Sequence, residues 1–369
     1  MTQAISHVLL AQLSDVIRAQ MGLHLPVAHW HDLERGIRAA ARELDFQDAA
    51  ACIQWLVSSP LTQPQVAVLA SHLTIGETYF FREPHVFAML EEEILPALMH
   101  ARWERARRLR IWSAGCATGE EPYSIAISIS KVILDRQDWD ITLLATDINP
   151  RFQQTASEGV YREWSFRETP AWIKARYFSK QAGGRLAILS AIQKMVTFAY
   201  LNLVDDVYPS PLTNTMAMDV IFCRNVLMYL APEQAKQVVH KLYHALADGG
   251  WLIVSPSEAS HVLFASFQTV SIPGAILYRK DASCESPASR PHAIECQVPK
   301  QNSLRQTLGA TPQGPPPYRE ASAWYQQRRS TGRDAARGRR DDGPEAQRSH
   351  RLDGPEAHDT MRQRPAVGS

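Results

Sequence analysis

What this chain lacks narrows it first. Cysteine is scarce: the five residues (Cys52, Cys116, Cys223, Cys284 and Cys296) are odd in number, widely spaced and free of any Cys-x-x-Cys pair. That pattern excludes a disulfide-stapled scaffold and argues against a zinc site, and it fits reduced thiols. Long apolar runs are missing too, since charges, polar residues or prolines break every stretch well short of the roughly 18 residues that a membrane span needs. No basic region followed by an apolar core opens the sequence, so a cytoplasmic location is expected. Neither sign of charge is in excess: 39 Lys+Arg against 38 Asp+Glu leave +1, which offers no overall attraction to nucleic acid or an anionic membrane. Also absent are Gly-x-Ser-x-Gly, His-Glu-x-x-His and a phosphate-binding P-loop, and with them the commonest hydrolase, zinc-protease and nucleotide-triphosphate chemistries.

What is present is enough apolar residue, 45% of 369, for a large core and more than one domain. Ile5, Val8, Leu9, Leu13, Val16 and Ile17 recur at helical spacing, and Gly22 stands where a helix would stop. Similar patterns continue to about residue 74, so residues 1–75 read as a small all-helical domain. From Arg110 the character changes. Short β-rich runs (Leu109 to Trp112, Ile141 to Ala145, Met195 to Tyr200, Asp219 to Cys223, Trp251 to Val254, Ala275 to Tyr278) are separated by helix-length segments. That alternation predicts an α/β domain over residues 76–280, with a doubly wound, mostly parallel sheet covered on both faces. Residues 161–194 break the rhythm with aromatics and the pair Gly183-Gly184, and read as an inserted subdomain. Residues 281–369 turn Pro-, Gly-, Ser- and Arg-rich and repeat Asp-Gly-Pro-Glu-Ala at Asp342 and Asp353. Such a composition buries too little apolar area to offset chain entropy, so a disordered tail is predicted, dispensable for catalysis from about residue 287.

Chemistry becomes visible where the strand from Leu109 to Trp112 runs into the small residues Ser113, Ala114, Gly115, Ala117 and Gly119 and then a helix opening with Glu120, Glu121 and Pro122. Small residues let the backbone approach a ligand at the end of the first parallel strand, where doubly wound sheets bind. The next strand ends in Asp147, nearly 30 residues after Gly119, placed to accept ribose hydroxyls. A dinucleotide or S-adenosylmethionine fits these features. The loop is Gly-x-Ala-x-Gly rather than Gly-x-Gly-x-x-Gly, and two acids follow it; carboxylates there repel a diphosphate and tolerate an ammonium and a sulfonium. Read singly, each acid also serves a helix N-terminus.

Five blocks in order then resemble the CheR-type chemoreceptor methyltransferases: Glu77-Thr-Tyr-Phe-Phe-Arg-Glu83, Ser113 to Ser124, Ala145-Thr-Asp-Ile-Asn149, Phe222-Cys-Arg-Asn-Val226 with Tyr229, and Gly249-Gly-Trp-Leu-Ile-Val254. The resemblance runs to about Lys280 and implies a Rossmann-like methyltransferase fold whose insertion is a small β-subdomain. It implies methyl transfer from S-adenosylmethionine to receptor glutamates, leaving S-adenosylhomocysteine. It places Thr78, Arg82, Glu121, Asp147, Asn202, Leu203, Arg224 and Asn225 around the cofactor, with Arg82 and Tyr229 nearest the methyl group. Where the family commonly has Asn, this chain has Gly76, which leaves only a backbone to approach the ligand.

A glutamate of pKa about 4.3 is already a nucleophile at neutral pH, so the residues must align it in a dry site and keep it ionised. Arg82, flanked by Tyr79, Phe80 and Phe81, suits that task, and Tyr229 either donates a hydrogen bond or walls the methyl group. The alternatives are a cofactor-binding regulatory module with little turnover, or the same enzyme in a surface-sensing or biofilm pathway. Arg35, Arg38 and Arg42 form a stripe without acids opposite the apolar face of Leu33, Ile37, Ala41 and Leu44. The resemblance suggests that this stripe docks the acidic helical cytoplasmic region of a chemoreceptor. Neither nucleic-acid binding nor membrane insertion is expected, and a monomer is. His240 and His244 read as solvated rather than metal-binding, since no Glu lies between them as in zincins. Cys116 reads as a small loop residue or a redox switch.

Overall fold

The computed structural model describes residues 5–103, 106–272 and 275–281. The expected disordered tail lies outside the described residues, as do Cys284 and Cys296.

Four helices open the chain: α1 (His7–Met21), α2 (Trp30–Glu43), α3 (Ala49–Val57) and α4 (Gln63–Leu73). Their limits follow local chemistry. Ser6 accepts from the Leu9 N–H at the start of α1, and Gly22 ends it in the left-handed region at φ 72°. Thr62 and Gln65 form a capping box on α4. The apolar stripes of these helices close a core of their own around Leu13, Ile17, Leu33, Ile37, Ile53 and Leu69.

Next come α5 (Pro84–Met89), a wide turn over Leu90–Ile94 and α6 (Leu95–Arg102), which lead into the sheet region. That region contains β1 (Arg108–Ala114), α7 (Glu120–Val132), β2 (Asp140–Asp147) and α8 (Pro150–Glu158). The insertion follows: β3 (Val160–Tyr161), α9 (Ala171–Tyr177), β4 (Phe178–Lys180), β5 (Leu186–Ile188) and α10 (Ser190–Gln193). The sheet resumes with β6 (Val196–Tyr200), β7 (Met218–Phe222), α11 (Pro232–Ala245), β8 (Leu246–Ile253), β9 (Gln268–Ile272) and β10 (Ala275–Arg279).

Seven strands lie in the order β6-β2-β1-β7-β8-β10-β9. The first five are parallel, and β10 pairs antiparallel with both β8 and β9. Alternation along β1 supplies both faces: Leu109 and Ile111 enter one core, Trp112 and Ala114 the other. The insertion forms its own antiparallel sheet, β3-β5-β4. The six sequence-predicted strands are all present within a few residues. β9 was not anticipated, because its Gln268-Thr-Val-Ser-Ile run is short and mostly exposed at the sheet edge.

Topology now positions the site. From β1 the chain moves outward through β2 to β6 and returns to β7 on the other side of β1. The loops after β1 and β7 therefore diverge at the carboxyl ends of the strands, leaving a crevice at this reversal.

Candidate active site

A cavity of about 530 Å³ lies at that crevice, walled on one side by the strand-end loops and on the other by α1, α2, the end of α4 and residues 75–82. Thr78, Arg82, Glu121, Asp147, Asn202, Leu203, Arg224, Asn225 and Tyr229 all line it. Gly76 is flanked by the lining residues Ile75 and Glu77, and a Cβ on Gly76 would come within 2.5 Å of the Phe152 ring, which lines the cavity itself. The absence of a side chain at position 76 is thus matched by an aromatic ring in the space.

The β1 loop bends sharply enough to bring its backbone to the cavity. Gly119 has φ 95°, and a Cβ there would sit 2.7 Å from that of Ala156 in α8, so both conformation and close packing require glycine. Just beyond it, Glu120 and Glu121 diverge, because consecutive residues on a helix point about 100° apart. Glu120 faces the insertion, accepting from Thr118 Oγ1 (2.6 Å) and Ser165 Oγ (2.9 Å). Glu121 faces the cavity, accepting from Ser113 Oγ (2.7 Å) and Arg224 Nη1 (3.0 Å). Burial pushes both carboxyls above the usual carboxylate range, opposed at Glu121 by Arg224 and Ser113.

Asp147, at the end of β2, accepts the Ala117 N–H on one oxygen and the Asn149 N–H on the other, each at 2.8 Å. Burial raises its pKa to about 6 even so, with those backbone donors acting in the opposite sense. The carboxylate keeps acceptor capacity for a ligand hydroxyl.

Arg224, just past β7, is buried and contacts Glu121 and Glu83 at 3.0 Å each, and donates to the Arg82 carbonyl at 2.6 Å. Its Nε has no hydrogen-bond partner among the described residues. Glu121, Glu83 and Asp147 against Arg224 and Arg82 leave one carboxylate in excess. A cationic ligand carrying ribose hydroxyls fits this donor and charge set, and a diphosphate does not.

Arg82 donates from Nη1 to the Glu77 carbonyl (2.9 Å), and its guanidinium lies 5.7 Å from the Tyr79 ring centroid. Tyr229 is half-buried on the turn after Asn225, and its carbonyl accepts the His24 N–H at 2.8 Å. Asn202 spends its amide nitrogen on the Gln20 carbonyl (2.9 Å) and Asp205 (2.8 Å), tying the end of α1 to the cavity wall.

Glu258 escaped sequence reasoning. Its buried carboxylate accepts the N–H groups of Asn225 (2.7 Å), Val226 (2.8 Å) and Met228 (3.2 Å), holding the loop that carries Arg224 and Tyr229. Asn225 there has φ 57°. The available signal was Ser255-Pro-Ser-Glu258, a capping-box spacing just after β8.

One expectation needs correction. The arginine stripe on α2 is not free of acids: Arg35 pairs with Asp32 at 2.6 Å and Arg38 with Glu34 at 2.5 Å, because residues three and four apart on a helix are neighbours. Cys116 lines the cavity but is buried, and burial together with Asp147 and Glu121 holds its thiol well above the ordinary range, which disfavours the reactive thiolate of a redox switch. His240 and His244 are exposed with their Nε2 atoms 3.1 Å apart, and no group of three metal-ligating side chains occurs among the described residues. Among the same residues no helix is long and apolar enough to cross a membrane.

Comparison with known proteins identifies the family. Residues 76–275 match the family described as CheR methyltransferase, SAM binding domain. The chain is 34% identical over 212 residues to chemotaxis protein methyltransferase 1 of Pseudomonas aeruginosa, covering 56% of this chain and 74% of that one. It is 29% identical over 251 residues to a chemotaxis protein methyltransferase of Borreliella burgdorferi, covering 68% and 87% respectively. With the probable biofilm formation methyltransferase WspC of Pseudomonas aeruginosa it shares 31% identity over 283 residues, 76% of this chain and 63% of that one. With an acid-bearing crevice at the switch point of its sheet and a family match across more than half its length, the chain belongs to the CheR methyltransferases and binds S-adenosylmethionine.

Proposed function

We propose that this protein methylates glutamate side chains on the cytoplasmic helical region of a chemoreceptor-like signalling protein, acting as a cytoplasmic monomer. The observation that carries the reading is the convergence of Arg82 and Tyr229 on the cavity that holds Asp147, Glu121 and Arg224. S-adenosylmethionine, when bound, would supply an electrophilic methyl group on a cationic sulfur that leaves as the neutral thioether S-adenosylhomocysteine.

The chain's own residues do the rest. Asp147 accepts ribose hydroxyls on the lone pairs its backbone donors leave free. Glu121 answers the cationic end of the ligand, with Arg224 keeping that buried carboxylate ionised. Asn202 and Leu203 frame the adenine, and Thr78, Asn225 and the backbone at Gly76 complete the wall. Arg82 meets the incoming carboxylate with a planar pair of donors and holds it ionised where water is scarce. Tyr229 borders the methyl group, and its hydroxyl makes no hydrogen bond to a described residue. Arg35, Arg38 and Arg42 offer a docking face for an acidic helix. A carboxylate substrate is supported by the Arg82 guanidinium at the cavity, and a chemotaxis substrate by the similarity to chemotaxis protein methyltransferases.

The test is methylation of a chemoreceptor cytoplasmic fragment by the full chain with methyl-labelled cofactor. Glutamate methyl esters release their label as methanol in alkali; alkali-stable label, or none, counts against the reading. The alternative, the same enzyme in a surface-sensing or biofilm pathway, is supported by the similarity to WspC. Presenting receptors of both kinds separates the two.

A further inference from the structure

The insertion does more than decorate the sheet, and one of its arginines reaches the segment that carries Arg82. Phe80 binds that segment to the insertion. Its ring is fully buried, stacked on Phe166 with centroids 4.8 Å apart and meeting Tyr161 and Phe178 edge-on at 4.9 Å each. Its N–H donates to the Ser165 carbonyl (2.9 Å) and its carbonyl accepts from Thr169 Oγ1 (3.3 Å). These contacts anchor the fold of the segment but do not touch the arginine head group.

Arg167 does the complementary job from outside. Its guanidinium lies 3.8 Å from the Tyr79 ring centroid and 4.6 Å from that of Trp164, and its Nη1 donates to the Trp164 carbonyl at 3.0 Å. Its Nη2 reaches the Glu77 carboxylate at 2.8 Å. Glu77 and Tyr79 are the two residues that contact the Arg82 head group, through the Glu77 carbonyl and the Tyr79 ring. A side chain that fixes both supports of another side chain sets its orientation.

We propose that Arg167 is a positioning residue for methyl transfer, holding Glu77 and Tyr79 so that the Arg82 guanidinium presents its donors to the substrate carboxylate. The inference rests on the proposed role of Arg82. It makes the insertion a working part of the reaction centre, so anything that shifts residues 164–169 shifts the alignment of Arg82.

The experiment uses the full chain in four forms: unaltered, Arg82→Lys, Arg167→Ala, and the two combined. Single-turnover methylation of a receptor fragment and S-adenosylhomocysteine affinity are measured on each. A displaced aligning group costs rate rather than ligand binding, so Arg167→Ala should slow single turnover about tenfold while cofactor affinity stays within about twofold. The combined variant should be no slower than Arg82→Lys alone, because Arg167 acts through Arg82. Arg167→Gln, which keeps a planar donor at the ring, should recover part of the rate and guards against a folding defect in the alanine form. A normal rate in Arg167→Ala, a matching loss of cofactor affinity, or multiplicative losses in the combined variant would overturn the proposal. A normal rate in Arg82→Lys would remove the Arg82 assignment and this inference with it, whereas a slow Arg82→Lys beside a normal Arg167→Ala removes the inference alone.

Discussion

The two ends of β7 carry buried ion pairs of opposite design. Before its middle, Asp219 is 1% exposed and accepts from both terminal nitrogens of Arg102 and from the Arg110 N–H. Three donors from the protein converge on this one carboxylate, and the effect is to clamp α6 and β1 to the base of the sheet. Past the other end, Arg224 faces two carboxylates, Glu121 and Glu83, and keeps an Nε without a partner. The first cluster is closed and structural. The second leaves charge unbalanced toward a cavity, which is what a cationic ligand needs, and the fold tolerates the imbalance because Glu258 and the backbone hold the loop independently.

The largest expected effect breaks the closed end. Asp219→Ala strands a half-buried guanidinium and an unpaired Arg110 N–H, so stability should fall by about 3 to 5 kcal/mol. Denaturant melts check it, and cofactor affinity of the folded fraction should be unchanged; a large affinity loss would erase the distinction between the two ends.

At the open end, Asp147→Ala should weaken S-adenosylhomocysteine binding by about 1.5 to 3 kcal/mol with the fold kept, as measured by calorimetry. Titration of the same group sharpens the point. Its pKa is about 6, so affinity should fall as pH drops through 6, approaching tenfold per pH unit below it, and this dependence should vanish in Asp147→Ala. The sign for stability is reversed. A carboxyl raised on folding binds its proton more tightly in the native state, so its contribution to the free protein's stability is greatest below about pH 4 and is lost as pH rises to about 6.

Arg82→Lys keeps the charge at the cavity mouth and loses the planar pair of donors, so single turnover should drop tenfold or more, about 1.4 kcal/mol. Cofactor affinity should drop much less; equal losses would move Arg82 from substrate to cofactor. The smallest effect belongs to α2. Arg35 and Arg38 are already paired, and Arg42 has no ion-pair partner among the described residues. Arg42→Ala should therefore weaken receptor-fragment binding most of the three, by about 0.5 to 1 kcal/mol at low salt and less at high salt. A larger effect from Arg35→Ala would show that docking breaks the Asp32 pair.

Much of this molecule was legible as text because its signals are local. Helix α1 with its stop at Gly22, the parallel strands and the small-residue loop before Glu121 depend on periodicity and on backbone space, both of which neighbouring residues decide. Asp147 was legible for the same reason, as the acid that ends a strand. The sequence by itself thus determined the fold class, the family and nine of the residues that line one cavity.

The tertiary structure alone decided how those residues share their charges. Glu120 and Glu121 are adjacent letters, yet one bonds the insertion and the other the cavity, since a helix turns successive side chains apart. Glu258 lies 33 residues from Asn225, and Arg167 lies 90 from Glu77, distances along the chain that no local pattern spans. Burial raised the Asp147 carboxyl and the Cys116 thiol, and burial is a property of the assembled layers rather than of any segment. Hydrogen-bond partners and desolvation are set by what packs from elsewhere, which is why the roles of these side chains appear only once the chain has folded.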